Sequence, residues 1–193
     1  SMRSLAPELG VFPATLYWHV GDRAQLLGLV EQQWISGIEV PSAADWKDWM
    51  RALARTYRRH AHRHPNVARL MTVERARNPE NLTIPDAVLG VLDALGFDDD
   101  LVHAYNAVIG AVQGYVVVEL ARSGELSPEA AAATEHDLRS IDPARFPHVT
   151  RHFDDLANRA LSVRWSDSES GLPDASFDLL VDLLIDGIDR RLG

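Results

Sequence analysis

The chain contains no cysteine among its 193 residues. Disulfide bonds and thiolate metal sites are therefore excluded, and the composition suits a reducing cytoplasm. No unbroken apolar run reaches the roughly 18 residues that span a bilayer, and no basic segment followed by an apolar one opens the chain as in a secretory signal peptide. We therefore expect a cytoplasmic protein that does not enter a membrane.

Positive charge is also scarce, because 19 Lys and Arg residues stand against 28 Asp and Glu residues, for a formal net charge of -9. Affinity for nucleic-acid phosphates comes from Lys and Arg, so the balance argues against a nonspecific polyanion binder. It leaves room for a small, locally neutral DNA-binding module. The start of the chain carries Arg3 and Arg23 against Glu8 and Asp22, and the acid excess lies further along, notably at 98–100.

Alternating β-branched runs are missing too, and nearly every segment has helical period instead. The predicted fold class is therefore all-α. Helices are predicted over 2–9, 13–20, 22–38, 45–63, 65–77, 82–95, 99–122, 127–140, 145–163 and 175–192. Asp22 followed by Gln25 is a capping-box pattern, and Ser127 before Pro128 is typical of a helix start.

Two of these helices carry more apolar surface than one neighbour can cover. Residues 104–118 have no charge, and a helix that is apolar on all sides is expected to be buried on all sides. The helix over 175–192 has a broad apolar face made of Phe177, Leu179, Leu180, Val181, Leu183, Leu184, Ile188 and Leu192. The simplest explanation is a two-fold homodimer packed through helices around 104–120 and 175–192, with Gly110 and Gly114 permitting close approach. The alternative is a helix at the centre of a large monomeric core.

Residues 9–27, LGVFPATLYWHVGDRAQLL, are typical of a short helix, a tight turn, a second short helix and the start of a third. Gly10 supplies the turn, and Val11, Leu16 and Val20 are expected to point inward. The other side chains of the second helix then face outward, namely Ala14, Thr15, Tyr17, Trp18 and His19. Exposed large aromatics are unusual on a soluble surface. The pattern therefore indicates a helix-turn-helix, whose second helix enters the DNA major groove.

The stretch MRSLAPELGVFPATLYWHVGDRAQLL resembles the DNA-binding signature of the tetracycline-repressor (TetR) family. The string TLYWHV is similar to that of the tetracycline repressors themselves. Further along, LDALGF, DPARFPHV and FDLLVDLLIDGIDRRL resemble the regulatory domain of that subgroup, so the resemblance covers nearly the whole chain. It implies a DNA-binding domain with its connecting helix over 1–40, and a ligand-binding and dimerisation domain over 41–193.

The resemblance also implies a palindromic double-stranded DNA operator as partner, and a set of residues that contact it. These are Arg3, Pro13, Ala14, Thr15, Tyr17, Trp18, His19 and Arg23. Thr15, Tyr17 and His19 would reach phosphates or bases, and the apolar members would read a thymine methyl group. Arg3 and Arg23 would hold the DNA backbone. The alternative for Tyr17 and Trp18 is structural packing against the fourth helix.

The chain departs from the family pattern in two places. Phe12 stands where the family usually has the Ser or Thr N-cap of the recognition helix, so a capping bond worth roughly 1 kcal/mol is lost. The family also has a further helix ahead of SMRSLA, which we expect to be missing from this sequence. Without it, Leu5, Leu9, Leu16 and Val20 would have too little to pack on, and DNA binding would be weak.

The family's two tetracycline-binding histidines do not reappear, since Met71 and Ala111 fall near their positions. A magnesium–tetracycline effector is therefore not expected. Asn106 and Gln113 share one face of the apolar helix, where buried amides need partners, either a ligand, a neighbouring helix or a water. The predicted ligand contacts are Tyr57, Met71, Leu92, Tyr105, Asn106, Ile109, Gln113 and Trp165, although the apolar ones could equally be plain core. The predicted effector is a hydrophobic or amphipathic small molecule.

The leading interpretation is a ligand-responsive, dimeric transcriptional regulator, most simply a repressor by the family's common habit. One alternative is a DNA-blind small-molecule sensor or interaction module of the same fold. Another is an all-helical enzyme, but the chain has no Ser-His-Asp ordering, no carboxylate–histidine repeat and no glycine-rich phosphate loop. His60 and His64 have metal-ligand spacing without a third ligand in sequence. We therefore expect no enzyme activity, no metal and no cofactor.

Overall fold

A computed structural model of the chain describes residues 1–73, 82–121, 127–161, 163, 165 and 174–192. Helices make up the regular structure of these residues, with one 3-10 turn at Asp98–Asp100 and no strand among them. The helices are α1 (Met2–Glu8), α2 (Pro13–Val20), α3 (Arg23–Ser36), α4 (Trp46–Arg63), α5 (Pro65–Val73), α6 (Thr83–Ala94), α7 (Leu101–Ala121), α8 (Pro128–Arg139), α9 (Pro147–Arg151), α10 (Phe153–Leu156) and α11 (Asp174–Leu192). The predicted all-α class is confirmed.

Most predicted helix boundaries agree with the structure to within two residues, and both predicted ends of α2 are the observed ones. The end of the helix predicted over 65–77 lies outside the described residues. The single helix predicted over 145–163 is wrong, because α9 and α10 are short and a turn follows them. Asn158 ends this segment with a left-handed φ of 56°, and its side-chain oxygen accepts a hydrogen bond from the Trp165 backbone at 2.8 Å. The chain therefore folds back where a helix would have continued.

The chain divides into two compact units, Ser1–Tyr105 and Asn106–Gly193. The boundary between these units differs from the predicted boundary after residue 40, which separates a DNA-binding domain from a ligand-binding domain. The predicted domain division stays a prediction. In the first unit, Met2, Ala6 and Leu16 form a small core between α1 and α2.

The turn between α1 and α2 fixes how the two helices meet. Gly10 has a φ of 67°, a left-handed conformation that glycine adopts without strain. The backbone N–H of Val11 donates to the Ala6 carbonyl at 3.0 Å, yet the Val11 side chain is exposed. The expectation that Val11 points inward is therefore wrong, because its N–H rather than its side chain turns towards α1. Leu9 is exposed as well.

A second cluster in the first unit joins the end of α3 to α4. Trp34 contacts the ring of Tyr57 edge-on at a centroid distance of 5.7 Å and that of His60 at 5.1 Å, and all three side chains are buried. Gly37 follows α3, and a Cβ at this position would lie 2.6 Å from Cε1 of His60. Only glycine therefore permits this close approach without a shift of the histidine ring.

We expect His60 to make the stability of the protein depend on pH. Burial, and then the nearby His64, lower the pKa of His60, and a backbone hydrogen bond to Trp34 opposes this only in part. The unfolded chain therefore takes up a proton before the folded chain does. The stability that neutral His60 provides should be complete above about pH 6.5 and should decline as the pH falls from there towards the lowered folded-state pKa.

Urea unfolding midpoints measured between pH 7.5 and 5 check this expectation. His60→Gln should flatten the decline, whereas His62→Gln, an exposed histidine on the same helix, should leave it as in the unmodified protein. A decline that persists unchanged in His60→Gln would contradict the assignment.

In the second unit, α7 and α11 each bury one face. The buried face of α7 repeats every four residues, at Val108, Val112, Val116 and Leu120. That of α11 consists of Phe177, Val181, Ile185 and Ile188, and Tyr115 of α7 packs edge-on against Phe177 at 5.5 Å. In the single chain the opposite face of 104–118 is exposed, so the expectation that a second copy covers that face stays a prediction.

Candidate nucleic-acid interface

The solvent face of α2 is aromatic and hydroxyl-bearing. The side chains of Ala14, Thr15, Tyr17, Trp18 and His19 are all exposed, as predicted, while Leu16 is buried and Val20 half-buried. Trp18 is 81% exposed and Tyr17 46% exposed, so neither ring is sealed inside the fold. The rings of Trp18 and His19 meet edge-on at 4.7 Å. The face therefore offers ring edges and hydroxyls to a partner.

The local sequence explains why α2 is short and well delimited. Pro13 occupies its first turn, where a missing N–H costs nothing. Gly21 follows with a φ of 68° and donates its N–H to the Tyr17 carbonyl at 2.9 Å. Asp22 then caps α3 by accepting the Gln25 N–H at 2.9 Å. An eight-residue helix is about 12 Å long, which is close to the roughly 12 Å width of the DNA major groove.

Positive charge lies beside this face and not on it. Arg3 on α1 and Arg23 at the start of α3 are both exposed, and no Lys, Arg, Asp or Glu occurs in α2. A groove of about 310 Å³ opens between α1 and α3, lined by Ser1, Met2, Ser4, Leu5, Glu8, Arg23, Leu26 and Leu27. Contacts to phosphates and contacts to bases would thus come from different helices of the same small bundle.

The residues predicted to contact a ligand fall in both compact units. In the first unit Tyr57 and Leu92 are buried and Tyr105 is half-buried; in the second Trp165 is buried, Ile109 is half-buried, and Asn106 and Gln113 are exposed. The side chain of Met71 lies outside the described residues. The expectation that the two amides are buried is wrong, because both are exposed at the side of the buried valine face of α7. Their role in ligand binding stays a prediction.

Two of these residues are tyrosines, whose hydroxyls are neutral hydrogen-bond donors at physiological pH even with their ordinary pKa of about 10. Burial raises the pKa of Tyr57 further, to about 12, and raises the pKa of Tyr105 as well. Trp165 is held by stacking on Phe153, with ring centroids 5.9 Å apart.

Phe12 stands out in the sequence only as a missing helix cap, yet its ring is 81% exposed at the start of α2. The signal was available, since the residue before a proline is extended and an N-cap side chain lies outside the helix. Leu179 and Leu183, which widen the apolar stripe of α11 in the sequence, are both exposed. Their four-residue spacing is displaced by two from that of Phe177, Val181 and Ile185.

A helix-turn-helix with an uncharged, exposed second helix, followed by further helices, defines a class of DNA-binding regulator with an all-α second domain. Residues 40–192 match the family model described as "Tetracyclin repressor-like, C-terminal domain". This match spans more than half of the chain. The chain therefore belongs to the TetR family of transcriptional regulators, which confirms the resemblance.

Individual relatives agree with this membership. An HTH-type transcriptional repressor of Mycobacterium tuberculosis is 27% identical over 157 residues, covering 76% of this chain and 60% of its own length. An HTH-type transcriptional regulator of Saccharopolyspora erythraea is 31% identical over 157 residues, covering 79% of this chain and 66% of its own length. The chain thus spans less than two thirds of either relative.

A solved structure agrees over the whole chain. The Streptomyces coelicolor TetR family protein ActR, crystallised with actinorhodin, has a TM-score of 0.74 and 25% identity, covering 100% of this chain and 88% of its own.

Proposed function

We propose that this protein is a ligand-responsive DNA-binding transcriptional regulator, a repressor that a small hydrophobic or amphipathic molecule releases from its operator. The observation that carries the proposal is the exposed face of α2, because Tyr17 is 46% exposed and Trp18 81% exposed, and large aromatic side chains exposed side by side mark an interaction surface. Membership of the TetR family supports it. So do the repressor name of the mycobacterial relative and the actinorhodin bound to ActR.

The reading of DNA is assigned to the exposed face of α2 and its neighbours. Thr15, Tyr17 and His19 would contact phosphates or base edges in the major groove. Pro13, Ala14 and Trp18 would flank the bases as apolar surface. Arg3 and Arg23 would fix the module on the phosphate backbone, which positions a protein without specifying sequence. A cytoplasmic location, where DNA is accessible, accompanies this function.

In the proposed homodimer, a second copy of the chain packs against the exposed faces of α7 and α11. Ala107, Gly110, Gly114 and Val118 form one exposed stripe on α7, and Leu179, Leu183 and Gly187 form another on α11. A Cβ added at Gly110, Gly114 or Gly187 would meet no atom within 4 Å. Small residues beside large exposed leucines allow two such helix pairs to pack closely around a two-fold axis.

A lipid bilayer is the competing cover for this surface, since Asp98–Leu120 is long and apolar enough to cross a membrane, as core helices of soluble proteins also are. The leucines of α11, however, alternate with Asp182 and Asp186, and carboxylates within a lipid-facing helix are costly. A second protein copy accommodates those carboxylates at the margin of the interface, where water remains. We therefore favour the dimer.

Selection of duplexes from a random pool tests the proposal. The full-length gene product should enrich a palindrome whose half-sites are centred about one helical turn, roughly 10 base pairs, or a multiple of it apart. A thermal-shift screen then identifies small molecules that stabilise the protein, and those molecules should release the selected operator. A dimer that enriches no duplex would support instead a DNA-blind sensor of the same fold.

The two exposed amides of α7 provide a test of the ligand site. Asn106→Ala with Gln113→Ala should raise the effector concentration needed for release about thirtyfold or more, since each of the two lost hydrogen bonds to a bound ligand costs roughly 1–3 kcal/mol. Dimer mass and operator affinity should stay as in the unmodified protein. The exposed His136→Ala on α8 is the matched control. An unchanged effector response, or a change in dimer mass alone, would move the ligand site elsewhere.

A further inference from the structure

Phe12, the residue directly before α2, has no role in the proposed reading of DNA. Its ring is 81% exposed, equal to Trp18, and no large apolar side chain in the described parts of the chain is more exposed. It does not belong to the core of Met2, Ala6 and Leu16. Its aromatic surface is therefore available to a partner.

The backbone on either side holds this ring in place. Phe12 is extended, with φ -75° and ψ 147°, and Pro13 follows it. Its carbonyl accepts the Leu16 N–H at 3.2 Å, while the preceding Val11 N–H is bonded to Ala6. The ring thus projects from a fixed point at the N-terminal end of α2.

Phe12 is also unfavourable for folding on two counts. As the N-cap of α2 it makes no side-chain capping bond, which Ser, Thr, Asp or Asn would make. It also leaves a full aromatic ring in water. A residue that breaks a local rule twice is expected where it contributes to binding and not to stability.

We propose that Phe12 is a specificity-determining residue that reads the C5-methyl group of a thymine in each operator half-site. This inference rests on the proposed function. The N-terminal residues of a recognition helix lie against base edges, and the thymine methyl is the apolar group that the major groove presents there. A phenyl ring has no hydrogen-bonding group, so it distinguishes bases by this apolar contact.

The small apolar area beside Phe12 favours DNA over a protein partner. Phe12 and Trp18 are two separate rings, and together they expose much less apolar surface than a stable protein interface buries. The exposed charges of α1 and of the start of α3 are balanced, with Arg3 and Arg23 against Glu8 and Asp22, so they do not oppose a polyanion.

Replacing each thymine of the selected operator by deoxyuridine, which removes only the methyl group, tests the inference with the full-length protein. At the thymine that Phe12 contacts in each half-site, we expect the replacement to weaken binding about fourfold, and about fifteenfold when both half-sites are changed, as for one buried methyl group each. In Phe12→Ser the replacement at that thymine should have no effect, while thymines that Pro13, Ala14 or Trp18 contact should keep theirs. Leu29→Ala, an exposed apolar residue on α3, should keep the sensitivity of the unmodified protein.

The outcomes separate this inference from the proposed function. If Phe12→Ser binds the operator and keeps the full thymine sensitivity, the inference is overturned while DNA binding stands. If the unmodified protein selects no duplex, both are overturned. Phe12→Ser should raise Tm by roughly 2–4 °C through the restored cap. A lowered Tm with loss of all DNA binding would show that Phe12 has a structural role, which also overturns the inference.

Discussion

Leu183→Glu is expected to turn a dimer into a monomer at micromolar concentration. Leu183 is 61% exposed in the single chain and lies between Leu179 and Gly187 on the open stripe of α11. In a two-fold interface the change occurs twice. Each copy loses the roughly 1.5–3 kcal/mol of burying a leucine and places a carboxylate in an apolar contact, so the dissociation constant should rise about a thousandfold or more.

Sedimentation velocity measures this change directly. Leu82→Glu is the matched control, because Leu82 is 58% exposed but lies at the start of α6 in the first unit and not on α7 or α11, and it should leave the mass unchanged. The monomeric Leu183→Glu should also lose its affinity for the palindrome while keeping its helix content. An unmodified protein that is monomeric at these concentrations would contradict the interface, as would a Leu183→Glu variant that remains a dimer.

The recognition helix was predictable because its signals are local. Leu16 and Val20 are one turn apart and fix the inward face of α2, so the outward side chains follow from the period alone. Pro13 and Gly21 set its two ends. Local signals failed where a tertiary contact decided the outcome. The helical period through this segment does not indicate that the Asn158 side chain accepts a hydrogen bond from the backbone of Trp165, where the chain turns back after α10.

In the candidate site too, helical periodicity was predictable, but the packing neighbours of each helix face were not. The composition of α7 indicates a helix that needs covering on every side, but it does not tell which neighbour covers which face. Asn106 and Gln113 are therefore exposed in the single chain although their helix is apolar. The contact between Gly37 and His60 was equally invisible, because a close approach between the end of α3 and α4 depends on how the helices pack.

Trp18→Ala is expected to weaken operator binding on the order of a hundredfold without lowering stability. At 81% exposure the Trp18 ring contributes little to packing, so removing it leaves the folded state largely unaffected. A contact that discriminates one base from another is worth about 1–3 kcal/mol, and a palindrome doubles it. Phe146→Ala, which removes another exposed ring far along the chain, should leave the affinity unchanged.

The salt dependence of operator binding distinguishes contacts to bases from contacts to phosphates. Trp18→Ala should lower affinity while leaving the slope of log affinity against log salt as it is, because no phosphate contact is lost. Arg23→Ala should reduce that slope by about 0.9 for each of the two half-sites. If both variants, with the dimer intact, retain the affinity and the slope of the unmodified protein, α2 does not read DNA, and a DNA-blind sensor explains the chain better.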